Sequence, residues 1–176
     1  MTWSTPMTAV ANTGLTAAQW NASVRDNLLE TSVAKATTAG RIFVATGVNT
    51  LAEREITESE ILTQETSTRT TYGNITTTGP TVTVTTGALA ITSVSAQMFN
   101  SGANNMYSSY AISGATTDAS SDTRALAFQA GAGDQIRATS TVLSTLTGGS
   151  NTFKVEYRTS AGTGTWDDRR ILVIAL

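Results

Sequence analysis

Two acidic and two basic side chains stand side by side near the C-terminus, Asp167-Asp168-Arg169-Arg170. Adjacent carboxylates are the first place to look for acid/base chemistry. On a regular strand neighbouring side chains point to opposite faces, so Asp167 and Asp168 would not share a substrate. Salt-bridged surface or interface charge is the plainer reading. Asp118 and Asp122 flank a Ser/Thr loop and are carboxylates of the kind that hold Ca²⁺, yet their surroundings do not follow an EF-hand. The glycines of AGAGD, residues 130–134, resemble a phosphate-cradling loop only in part. The Lys and Ser/Thr of a P-loop are missing and both flanks read as strands, so a tight turn is expected. Tyr107, Tyr110, Tyr157 and Trp166 are candidates for a sugar-binding surface, or, more simply, for core and interface. The chain has no His and no Cys, which removes the commonest general base, thiol nucleophiles, disulfides and most zinc sites. No catalytic site, cofactor or metal is expected, and the missing carboxylate constellation disfavours a polysaccharide-degrading enzyme.

What remains must be structural or binding chemistry. The net charge is −2 over 176 residues, so nucleic acid, which wants a basic stripe, is not an expected partner. No apolar run approaches the length of a membrane span, and the first ten residues lack the basic start and apolar core of a signal peptide. Assembly in a cytoplasm is expected. Roughly one residue in five is Thr, a residue suited to pleated, half-solvated surfaces. Large apolar residues are sparse for a lone domain of this size, so burial against further copies of the chain is expected to add stability.

The elements that would position any site fall into two parts. Residues 1–64 read as an arm, a helix and a hairpin. Trp3 lies in the arm. Thr16 and Gln19 form a T-x-x-Q capping box, with Leu15 and Trp20 at staple spacing. The spacing predicts one helix over 16–32, with Ala17, Trp20, Val24 and Leu28 along one narrow face. A helix of this length is marginal alone. Arg41 to Ala45 and Leu51 to Arg54 predict a small hairpin around a turn with Gly47 and Asn49, carrying Ile42, Val44 and Leu51; it too needs a partner. The charged run EREITESE, residues 53–60, reads as a solvated linker or short helix, with the boundary just after it, at 64/65.

Residues 65–176 alternate short strands and Gly-rich turns, beginning with a strand expected over Arg69 to Ile75. The fold class is mainly β, with a C-terminal antiparallel β-sandwich, jelly-roll-like, after the arm, the capped α-helix and the β-hairpin. The last strand, Ile171 to Leu176, is apolar throughout instead of alternating, which predicts cover on both faces.

Three stretches then carry a resemblance. TAAQWNASVRDNLLE, through Thr16, Ala17, Ala18, Gln19, Asn21, Arg25, Asp26, Asn27 and Leu28, resembles an N-terminal segment of tailed-bacteriophage structural proteins. AGRIFVATGVNTLAE resembles a G-D-L-x-x-A-T-G-x-N-x-L-A-x-L unit of phage fibre proteins, through Gly40, Ala45, Thr46, Gly47, Asn49, Leu51 and Ala52. Arg41 stands where that unit has Asp. FKVEYRTSAGTGTWDDRRILVIAL is similar to the closing strands of phage head-fibre and tail-fibre tip domains. The resemblance implies a non-enzymatic virion structural protein, often trimeric, displayed on the virion surface. The expected partners are its own copies and the major capsid protein or another virion structural protein. Capsid decoration or head fibre is the leading expectation; a minor tail or tail-fibre tip protein that binds a host surface glycan or protein is the alternative. On that reading Trp3, Leu15, Trp20, Val24, Leu28, Ile42, Val44 and Leu51 attach the chain. Trp166, Arg169, Arg170, Leu172, Ile174 and Leu176 form the subunit interface, and Asn104, Asn105, Asp118 and Asp122 lie on exposed binding loops.

Overall fold

The computed structural model describes every residue except 1–4, 6, 9, 10 and 130, and only the backbone of Ser32 and Val33. Trp3 therefore lies outside the described residues. The chain divides into two compact units, Met1–Arg54 and Glu55–Leu176.

In the first unit the capping box forms as the sequence predicts. The Gln19 amide donates to Thr16 Oγ1 at 3.2 Å, and the Thr16 amide donates to Gln19 Oε1 at 3.0 Å. The expected single helix does not run straight on from it. Helix α1 (Ala17–Trp20) passes into a π-helical stretch, Asn21–Arg25, then α2 (Asp26–Leu28) and, after a turn, α3 (Ser32–Lys35). The wider π turn rotates later residues about the axis, so a stripe counted at α spacing is broken between Trp20 and Leu28. The hairpin forms from β1 (Ile42–Gly47) and β2 (Thr50–Arg54), which pair antiparallel. Asn49 takes φ 57° in its turn, the left-handed conformation Asn tolerates. Glu53 reaches back from β2 to accept from the Thr37 amide at 2.7 Å and the Thr37 hydroxyl at 2.5 Å.

The second unit is a two-sheet sandwich. Its strands are β3 (Ile56–Ile61), β4 (Glu65–Ser67), β5 (Thr81–Thr86), β6 (Leu89–Asn100), β7 (Met106–Gly114), β8 (Leu126–Phe128), β9 (Gln135–Thr145), β10 (Gly149–Thr159) and β11 (Gly164–Ala175). One sheet has the order β3-β11-β6-β9, with β4 continuing the β3 side of β11. The other has the order β5-β10-β7-β8. Setting β4 aside, strands one, eight, three and six make one sheet and strands two, seven, four and five the other. These strand pairings are antiparallel. This is the double Greek key of a jelly roll. The core lies between the sheets and includes Val82, Val84, Val94, Met98, Tyr110, Phe153, Val155, Ile171 and Val173.

Three expectations are corrected here. The charged run is not a linker: its first two residues end β2 and residues 56–60 lie on the edge strand β3, where Thr57, Ser59 and Ile61 are half-buried while Glu58 and Glu60 face out. Charged side chains on an exposed edge strand are how sheets resist pairing with strangers. The compact units consequently meet at 54/55, and a boundary at 64/65 would cut β3 from the sheet it completes. The strand expected over Arg69 to Ile75 is absent; that segment meets β10 through an isolated bridge, Gly73 to Tyr157, and through the Arg69 carbonyl, which accepts from the Thr159 amide at 2.7 Å.

Candidate functional site

Strand β11 decides which side chains the sandwich offers to a partner. Its register with β6 slips between Asp167 and Arg170, where three steps on β11 oppose two on β6. Asp168 sits in this bulge at φ 45°. One extra residue reverses the alternation. Before the bulge Trp166 points into the core; after it Arg169, Ile171, Val173 and Ala175 do, all fully buried. Arg170, Leu172 and Ile174 are turned to the outer face, where Arg170 meets Glu58 at 3.3 Å and Glu60 at 3.0 Å. Arg137 of β9 pairs with Asp168. Asp167 and Asp168 thus sit in an irregular strand, and Asp168 is engaged by an arginine of its own sheet.

Trp166 and Arg169 are accordingly not subunit-interface residues. Arg169 donates to the Thr63 carbonyl at 3.0 Å and to Glu65 Oε2 at 3.3 Å, and its guanidinium lies 5.6 Å from the centre of the Tyr157 ring. Burial pushes the Glu65 carboxyl up, but hydrogen bonds from Thr77 and the Arg169 charge outweigh it and hold the group below its ordinary range. Burial pushes the Tyr157 phenol well up.

The outer face of the β3-β11-β6-β9 sheet does present apolar residues, in an arrangement the sequence reading missed. Ile56, Ile174, Ile91 and Leu143 are register partners across all four strands. Ile56 is 48% and Leu143 58% exposed, while Ile91, Ile174 and Leu172 are half-buried. Leu176, at the end of the chain, is also half-buried. The available signal was parity: Ile91 and Leu143 occupy outward positions of alternating strands, and only cross-strand register aligns them.

Residues 101–105 precede β7 and residues 115–121 follow it, but the second loop runs back along the strand, Asp118 bridging Ile112 and Ser121 bonding Ser109, so that Asn105 and Asp122 are linked through Tyr107 and Arg158. Both loops are fastened to their own domain. Asn104 donates to Asn100 Oδ1 at 3.3 Å, and Asn105 donates to Tyr107 Oη at 3.1 Å. Asp118 pairs with Arg124. Asp122 accepts from Arg158 Nε at 3.1 Å and from the Tyr72 hydroxyl at 2.8 Å, and Arg158 stacks 3.7 Å over the Tyr107 ring. The Arg158 contact, followed by the Tyr72 hydrogen bond, lowers the Asp122 carboxyl. Residues 131–134 form the expected turn, with Gly133 at φ 81° and the Asp134 amide donating to the Gly131 carbonyl at 3.2 Å; residue 130 lies outside the described residues.

The first unit presents a different surface. Its buried side chains among the described residues are Asn27 and Glu30. Leu15, Trp20, Leu28 and Leu29 are all more than half exposed, and Val48, at the hairpin tip, is 87% exposed. Val24, Ile42, Val44 and Leu51 are half-buried. Glu30 lines an open cavity of about 280 Å³ together with Ala45 and Leu51. Lys35 pairs with Glu30 at 2.8 Å and holds its carboxyl below the ordinary range.

No protein-family model matches the chain, and no curated protein matches it. Among solved structures, the chain is similar to Eiger TNF from S. frugiperda at 9% identity and TM-score 0.46, over 69% of this chain and 92% of that one. It is similar to the infectious bursal disease virus VP2 subviral particle at 15% identity and TM-score 0.48, over 75% of this chain and 36% of that one. The jelly-roll assignment rests on the strand order and register.

Proposed function

We propose that the chain is a non-catalytic structural protein of a tailed-phage virion, attached through residues 1–54 and displaying the jelly roll at the virion surface. The observation that carries this reading is the contrast in burial. The sandwich closes a core of its own, whereas the helices and hairpin bury no large apolar side chain among the described residues and leave Trp20, Leu28 and Leu29 in solvent. Elements of this size without a core are not stable alone. A segment that keeps its apolar side chains outward is suited to finishing its fold on another surface. The motif resemblance in residues 16–28 and 40–52 supports a virion protein as that surface.

The second contact in this reading is between copies. The Ile56–Ile174–Ile91–Leu143 row and Leu172 pack against neighbouring subunits of a trimer, with Arg170 at the polar margin. Light scattering of the intact chain at micromolar concentration is expected to give a trimer mass, and Leu143→Asp with Ile174→Asp a monomer mass. A monomer mass for the unaltered protein would contradict this contact.

Capsid decoration is the leading form of the proposal. Burying surface across neighbouring capsid subunits would raise the barrier to shell rupture. Gold-labelled antibody against residues 55–176, viewed on intact virions by negative-stain microscopy, is expected to scatter over the head. Label confined to the tail would replace decoration with host recognition.

A further inference from the structure

The sheet β3-β11-β6-β9 ends in two edge strands, β3 and β9. On β9 the Leu146 amide donates to the Ala88 carbonyl, in the register that pairs Thr145 with Leu89. Backbone groups alternate in direction along a strand, so the even residues of β9 bond β6, while Arg137, Thr139 and Thr141 turn their N–H and C=O groups away from the sheet. On β3 the same count starts from the Ala175 amide, which donates to the Glu55 carbonyl. It leaves Ile56, Glu58 and Glu60 with their backbone groups turned away from β11. No strand among the described residues pairs with either row. The two edges differ in charge. On β3, Glu58 and Glu60 are 47% and 44% exposed and share Arg170. From Gln135 to Thr145, β9 has no acidic residue and one basic residue, Arg137, which is 54% exposed.

We infer that β9 of one copy pairs antiparallel with β3 of the next and so closes the trimer; this rests on the contact between copies proposed above. Three antiparallel steps lead from β3 to β9, so the two strands run in opposite directions within one chain. Copies related by a rotation axis that runs along the strands therefore bring β9 and β3 together antiparallel, and such a head-to-tail contact forms a ring when the rotation closes. Charge selects the pairing. Two β3 edges would set glutamates against each other, whereas β9 brings the two carboxylates a second base and no acid. The register that sets Arg137 opposite Glu60 of the next copy also sets Thr139 opposite Glu58 and Thr141 opposite Ile56. Each of these pairs exchanges both of its outward backbone bonds. Leu143 then lies diagonal to Ile56 of the next copy, within side-chain reach, so the outer apolar row of one copy runs on into the next.

The chain has no cysteine, so Thr139→Cys combined with Glu58→Cys reports this contact by disulfide trapping in the full chain. Within one copy the two positions lie three strands apart, ~14 Å across the sheet. A disulfide needs Cα atoms within about 7 Å, so only a neighbouring copy can complete it. After oxidation the double variant is expected to run as a covalent three-chain species on a non-reducing gel, and each single variant as one chain. A dimer from Thr139→Cys alone would mean that β9 pairs with itself and would overturn the inference. Bands running past three chains would do the same, since they mark an open filament. Light scattering of the reduced double variant separates this contact from the reading it rests on. A trimer mass without cross-linking on oxidation would overturn the edge pairing and leave the trimer, whereas a monomer mass would overturn both.

Discussion

The two units of this chain use apolar residues in opposite ways. In residues 55–176 they face each other across two sheets: Phe153, Tyr157, Trp166 and Ile171 are completely buried. In residues 1–54 Leu15, Trp20, Leu28, Leu29 and Val48 face solvent, and what is buried among the described residues is polar, Asn27 and Glu30. Both sequences contain helix or strand signals of ordinary strength. Local signals set the secondary structure, but only the second sequence has enough correctly spaced apolar residues to close a core. The first has good local structure and little apolar burial among its described residues, which is what the proposed attachment to another surface would use.

The contrast can be broken most severely by cutting the chain. Residues 55–176 expressed alone are expected to unfold in one cooperative transition, followed by circular dichroism in urea. Residues 1–54 alone are expected to show no such transition. A fragment starting at residue 65 lacks β3, bares one edge of β11 and strips Arg170 of Glu58 and Glu60. It should be far less stable than 55–176; equal stability would restore the boundary to 64/65.

Point substitutions give the next largest effects. Phe153→Ala should cost the sandwich about 3–5 kcal/mol, since the ring is fully buried. Leu28→Ala should leave urea unfolding of the isolated chain within about 0.5 kcal/mol of the parent, because that side chain is 59% exposed. Between these lies Asn151→Ala. Asn151 is fully buried, donates to Thr86 Oγ1 at 2.8 Å and accepts from the Thr116 amide at 2.7 Å. Its loss leaves those groups unpaired where the loops after β5, β7 and β9 meet, at about 1–3 kcal/mol.

The smallest effect is electrostatic. The Asp122 carboxyl titrates lower in the fold than in the unfolded chain, chiefly through Arg158. Its contribution is therefore present above the ordinary carboxylate pKa and lost as pH falls through the lowered folded value. Asp122→Asn should flatten the acid limb of a stability–pH curve and cost about 0.5 kcal/mol near neutrality, as for an exposed ion pair.

Much of this architecture was legible in sequence because its signals are local. The Thr16/Gln19 box, the Asn49 turn and the alternation of Thr81 to Thr86 all appear in the structure. The corrections arise where one residue changes a long-range relation. The bulge at Asp168 reverses the faces of β11, so Arg169 goes inward and Arg170 outward although both look alike in sequence. The edge strand at 56–61 was masked by its glutamates, whose partner Arg170 lies 110 residues away from Glu60. The outer apolar row depends on register among four strands, and no single strand displays it. Asn105, Asp118 and Asp122 looked free for a ligand because their partners Tyr107, Arg124 and Arg158 become neighbours only by folding or by a turn.

The central claim is that the exposed apolar side chains of the first unit's helices attach the chain while the jelly roll stands independently. The most direct measurement is the occupancy of Trp20→Asp with Leu28→Asp on particles, alongside thermal unfolding of the same variant. The account predicts loss from particles with the unfolding midpoint of the sandwich unchanged. Occupancy equal to that of the parent chain would contradict it.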